Sequence, residues 1–188
     1  MKTRTIYLNH NGILSIDEKT ANIFSILLGS LFIAILAQIS IPLPHSPVPI
    51  TGQTIGVVLV GGLLGAQRGV LAVLCYLFEG AIGIPVFAQF KGGIHILIGP
   101  TGGYLWGFVL AVFLIGFLAE KGFTKNYLSS FISCLVSTTI ILITGVLYLI
   151  AFDLGIEKAL TIGFYPFLIG DIVKSCVCTG LLIISRKI

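Results

Sequence analysis

The stretch SILLGSLFIAILAQISI (Ser25–Ile41) contains no charged residue, and its apolar side chains do not alternate with polar ones. A membrane β-strand would alternate, apolar outward and polar inward, over roughly ten residues. The apolar run from Ala21 to Ile41 has instead the length of a bilayer-crossing helix, about 20 residues. In such a helix every backbone polar group is satisfied within the segment. Pro42 and Pro44 close the run.

The rest of the chain agrees with a bilayer as solvent. Hydrophobic residues make up 56% of the 188 residues and charged ones 10%, and the mean hydropathy is +1.10. A soluble domain carries about 25% charged residues. Five further apolar segments follow: Gly52–Gln67, Gly69–Ile84, Pro100–Ala119, Tyr127–Phe152 and Thr161–Ser185. Gly52–Gln67 is short for a full span. The expected architecture is an all-α integral membrane protein with six transmembrane helices. Residues 1–20 form an N-terminal cytoplasmic tail rather than a signal peptide, since they lack an apolar core, and 21–188 form one membrane domain.

Lys and Arg set the expected orientation. Lys2, Arg4, Lys19, Arg68, Lys121, Lys125, Arg186 and Lys187 fall on one side, against Lys91 and Lys158 on the other. That asymmetry puts both termini in the cytoplasm. The net charge of +4 is scattered over short loops without interleaved aromatics, which argues against a nucleic-acid surface.

Two connections then face outward. PLPHSPVPITGQT (Pro42–Thr54) has four prolines and is stiff. IPVFAQFKGGIHILIGPTGG (Ile84–Gly103) is glycine-rich yet apolar. Irregular backbone of that kind cannot face lipid and must pack on protein or line a cavity. Both loops are expected to wall a pocket that opens outward.

FLIGDIVKSCVCTGLLII (Phe167–Ile184) places Asp171 and Lys174 at i and i+3, on one helix face. Glu79 is a third ionisable group inside a span. Such residues face an interior and mark a ligand or ion path, or else form an ion pair that fixes helix packing. Lys91, in the outer loop, can close over an anion or stand solvated, and His95 reads as an interfacial residue. Tyr104 and Trp106, near the start of the fourth segment, are either an interfacial belt or a stacking wall. Ser30 and Ala34 make a small-xxx-small pair suited to close helix approach.

Cys75, Cys134, Cys176 and Cys178 all lie in apolar runs without metal-ligand spacing. No catalytic constellation or ATP-binding motif stands out, so neither an enzyme nor a bound cofactor or metal is expected, and energy from ATP would have to come from a partner.

SIPLP…PVPITGQT, YLFEGAIGIPVFA, GPTGGYLWGF and GDIVK, in this order, resemble the BioY family over nearly the whole chain. BioY proteins are biotin-specific substrate-binding (S) components of energy-coupling factor (ECF) transporters. The resemblance implies an ECF S-component-like bundle in the cell membrane, with one biotin site near the outer face. It also implies a membrane T component and ABC-type ATPases as partners. Asp171 and Lys174 match the family's GDxxK segment at the vitamin site, Glu79 the polar residue before the third-segment glycine, and Lys91 a basic loop residue. Asp171 and Glu79 are expected to accept the ureido N–H groups. Lys174 would meet the carbonyl or the carboxylate, and Lys91 the tail. Tyr104, Trp106 and Phe87 would supply the apolar wall. The T component would dock on the first helix, where Ser30-xxx-Ala34 is the best match to an AxxxA pattern and Ala37 is out of phase. The alternative is a self-sufficient permease or channel for another small organic anion.

Overall fold

The computed structural model describes residues 17–152 and 154–186. Most of the expected N-terminal tail, with Lys2 and Arg4, lies outside the described residues, as do Asp153 and Lys187. The first helix, α1 (Glu18–Gln38), is followed by a two-residue antiparallel ribbon, β1 (Ser40–Ile41) with β2 (Ile50–Thr51), pairing Ser40 with Thr51 and Ile41 with Ile50. Then come α2 (Gln53–Ala81), the short α3 (Ile94–Leu97), α4 (Gly102–Glu120), α5 (Tyr127–Ala151), the short α6 (Ile156–Gly163) and α7 (Leu168–Ser185).

α2 runs without a loop between its parts, but it is two helices. Gly65 sits at φ 83°, ψ 177°, a backbone region open essentially to glycine alone. The chain reverses there. Gln53 and Tyr76 are 23 residues apart and share a side-chain hydrogen bond; in a straight helix they would be about 35 Å apart. Gly61 and Gly69, equidistant from the turn, lie so close that a Cβ on Gly69 would stand 3.1 Å from the Gly61 Cα. The arms are 53–64 and 66–81. They correspond to the second and third apolar segments, and the shortness of the second segment follows from the hairpin. Glu120 Oε1, at the end of α4, accepts the Ala66 N–H at 2.8 Å and caps the second arm.

Among the described residues five helical stretches are long and apolar enough to cross a membrane; with α2 folded back, these make six membrane helices. The sixth segment differs from its expected bounds. It breaks at Gly163 and at a 3-10 turn over Tyr165–Phe167, where Pro166 lies at the turn's start. The membrane helix proper is therefore α7, and its lead-in is α6.

α1 turns Gly29, Ser30, Ile33, Ala34 and Ala37 inward, against α2. Its outer face is bulky, with Ile23, Phe24, Leu31 and Ile35 each more than half exposed, as a lipid-facing surface requires. This corrects the expected docking surface. Ser30 and Ala37 are fully buried and Ala34 is 7% exposed, so their small size serves packing within the chain, and a partner protein would have to meet other residues.

Candidate binding cavity

A cavity of about 450 Å³ opens at the end of the bundle where α7 starts and the two irregular loops gather. Its size lies in the range of small-molecule sites. The proline-rich loop forms one wall through Pro42, Pro47, Val48 and Pro49. The β1–β2 ribbon closes the base of this loop. Ser46 ties its tip to α6, its hydroxyl donating to Ile162 O at 2.7 Å and accepting from Val48 N at 3.1 Å. The stiffness expected from the prolines is thus joined to a long-range anchor.

The second wall is the 84–101 loop, which contributes Phe87, Gln89, Lys91 and His95. Phe87 is 1% exposed. Its ring lies directly over Gly80, where any Cβ would strike it, and meets Tyr76 edge-on at 5.5 Å between centroids. The Gly93 N–H donates to Gly80 O at 2.7 Å. The loop is therefore built onto the end of α2, as its apolar composition demands.

Tyr104, near the start of α4, lines the cavity with Leu105 and Phe108. Its ring packs where a Cβ on Gly145 would lie, and its hydroxyl donates to Gly163 O at 2.8 Å. It ties α4 to both α5 and α6. Trp106 is two residues further along, about 200° around the helix. It is 49% exposed and does not line the cavity, so the expectation that it walls the site is corrected.

Asp171 and Lys174, in the first turns of α7, both line the cavity. Asp171 is 6% exposed. The hydrogen bond its carboxylate receives from the protein comes from the Thr139 hydroxyl, at 3.4 Å, rather than from Lys174. A carboxylate this buried and this weakly satisfied has acceptor capacity left for a ligand. Lys91 and His95 stand exposed at the mouth.

Glu79 lies elsewhere. Its Oε2 accepts the Ser30 hydroxyl at 2.6 Å and its Oε1 the Cys75 thiol at 3.3 Å. It joins α1 to α2 and is outside the cavity lining. The expectation that it meets a ureido N–H is corrected to a helix-packing role, because the second arm of α2 turns this position toward α1. Glu79→Gln is expected to leave ligand affinity within about threefold. Equilibrium binding by the purified variant checks this, and a loss above tenfold would return Glu79 to the site.

Thr54 was not singled out from the sequence. It lines the cavity, and its buried hydroxyl has no hydrogen-bond partner within the described residues. Gln53 beside it lines the cavity too, held by Thr51 and Tyr76. Both belong to PVPITGQT, so the motif carried the signal while its side-chain roles did not show. Ile141 and Leu142 of α5 complete the lining from an unremarkable apolar run. Among the described residues no cluster of three or more His, Cys, Asp or Glu gathers to hold a metal.

A multi-helix membrane protein with one end shaped into a mainly apolar cavity, holding a buried carboxylate and a lysine, belongs to the solute-binding class. Comparison with known proteins narrows this: the chain matches the BioY family over residues 7–188 and belongs to it. The biotin transporter BioY of Thermotoga maritima is 43% identical over 156 residues, covering 83% of this chain and 90% of the relative. A probable biotin transporter BioY of Pyrococcus horikoshii is 41% identical over 160 residues, 84% of this chain and 91% of the relative. A crystal structure of the S-component for biotin from an ECF-type ABC transporter superposes with a TM-score of 0.83 at 29% identity, covering 91% of this chain and 93% of that one. These relatives are transporters, in keeping with the expectation of a non-enzyme.

Proposed function

We propose that this chain captures biotin in the outer cavity as the substrate-binding component of an ECF-type transporter in the cell membrane. The observation that carries the reading is the polarity gradient of the cavity. Asp171 is buried on one flank, and Lys91 is exposed at the mouth. Biotin has a matching layout, with a ureido ring that donates two N–H groups, an apolar thioether ring and an anionic valerate tail. Asp171 accepts from the ureido nitrogens, and Lys91 meets the carboxylate. Lys174 donates to the ureido carbonyl or to the carboxylate. Thr54 offers its free hydroxyl to the same ring system. Phe87 and Tyr104 supply the apolar wall. A site built from buried polar groups rejects ligands that leave those groups unpaired.

Lys19, Arg68, Lys121, Lys125 and Arg186 support a cytoplasmic placement for the end of the bundle opposite the cavity, against Lys91 and Lys158 on the cavity side. A membrane T component and ABC-type ATPases are the proposed energy source. Uptake of labelled biotin by cells expressing the chain tests this. The expected result is accumulation that needs co-expressed partner subunits and ATP and is not competed by thiamine or riboflavin. Uptake that follows an ion gradient in the chain alone would support a self-sufficient permease instead.

A further inference from the structure

Gln38, the last residue of α1, reaches the turn that brings Phe87, Gln89 and Lys91 to the cavity. Its amide nitrogen lies 3.3 Å from both the Val86 and Phe87 carbonyl oxygens and 3.0 Å from Ala34 O. Its amide oxygen accepts the Phe90 N–H at 2.9 Å. One side chain therefore bonds both limbs of the turn.

The turn needs that support. Gln89 and Phe90 have φ of 61° and 55°, two successive side-chain-bearing residues in the left-handed region, where Cβ crowds the backbone. Such conformations persist only where the surroundings over-determine them. The turn's own bonds are Phe87 N–H to Lys91 O at 2.9 Å and a long Lys91 N–H to Ala88 O at 3.4 Å. The first limb has other anchors: the Phe87 ring over Gly80, and the Tyr76 hydroxyl donating to Val86 O at 3.3 Å. The second limb is tied down only beyond Lys91, where the Gly93 N–H donates to Gly80 O at 2.7 Å; at residues 89–90 it has less. Phe90 is 72% exposed, so its side chain adds little packing, and the Gln38 oxygen holds its backbone.

We infer that Gln38 is a positioning residue for ligand capture: without lining the cavity itself, it locks the left-handed 89–90 turn so that Lys91 stands at the mouth. This rests on reading Lys91 as a partner of the ligand's carboxylate. It also makes α1 a determinant of the site, although α1 lies outside the cavity.

Gln38→Leu keeps the bulk and removes the amide. It is expected to speed hydrogen–deuterium exchange of the 84–93 segment at least tenfold in the ligand-free protein and to weaken biotin binding at least tenfold. Adding Phe90→Gly to Gln38→Leu is expected to recover threefold or more of the lost affinity, because glycine adopts the left-handed conformation without a steric cost. That recovery separates loss of positioning from misfolding. Unchanged exchange in Gln38→Leu would overturn the inference, as would faster exchange with biotin affinity within twofold of the original chain. If the original chain does not bind biotin at all, the reading of the cavity fails, while the exchange result still decides whether Gln38 holds the turn.

Discussion

Asp171→Asn is expected to weaken biotin binding by more than tenfold, and Lys174→Ala by a similar factor, with the protein still folded. The first change keeps shape and removes charge. A hydrogen bond to a charged group contributes about 1.5–3 kcal/mol, and tenfold in affinity is about 1.4 kcal/mol, so the loss of one such bond suffices. The fold survives because it asks little of either group. Asp171 receives one long bond, from Thr139, and α7 packs on its neighbours through Ser175, Cys178, Thr179, Leu182 and Ile183. Lys174→Ala shortens a half-buried side chain at the cavity wall. Calorimetric titration of each purified variant, with circular dichroism to show an intact fold, measures the effect. Affinities within twofold for both would return the pair to helix packing.

The second large effect is at the hairpin of α2. Gly65→Ala introduces a Cβ at φ 83°, ψ 177°, a conformation that costs of order 1–3 kcal/mol for other residues. The same Cβ would lie 2.5 Å from Glu120 Oε1, the atom that caps the second arm through Ala66 N–H. Loss of a helix cap adds about 0.5–2 kcal/mol. The combined destabilisation is expected at about 1.5–5 kcal/mol, seen as a melting midpoint several degrees lower in detergent and a smaller yield of folded protein. Biotin stoichiometry in the surviving fraction should be unchanged, since the turn lies at the far end from the cavity. A midpoint within one degree of the original would show that the hairpin does not depend on this glycine.

Much of the architecture was legible because lipid imposes a simple rule. A segment such as Ala21–Ile41 can hide its backbone only as a helix, so composition and length gave six segments. The hairpin of α2 was written in the shortness of Gly52–Gln67 and in Arg68, though not the glycine on which it turns. The break at Gly163–Pro166 was missed because hydropathy does not register a change of direction; its local signals are Gly163 and Pro166 themselves.

The site was legible where charge made it conspicuous. Asp171, Lys174 and Lys91 reach the cavity because an ion inside an apolar chain needs a solvated or liganded interior. The same rule pointed to Glu79, yet Ser30 and Cys75 satisfy that carboxylate at the α1–α2 contact. Charge alone does not tell which interior a residue faces. Ser30, Ala34 and Ala37 show the parallel ambiguity for small residues, which suit a close approach by any helix; here the approaching helices belong to the same chain. Thr54 and Gln38 present hydrogen-bonding atoms whose direction depends on loops folded over the bundle end, and no local pattern encodes that.

The most direct test of the biotin assignment is a calorimetric titration of the purified chain in detergent with biotin, thiamine and riboflavin. Tight binding of biotin alone, near one per chain, is the predicted result. No heat of binding from biotin in a protein shown to be folded, or equal binding of all three vitamins, would contradict it.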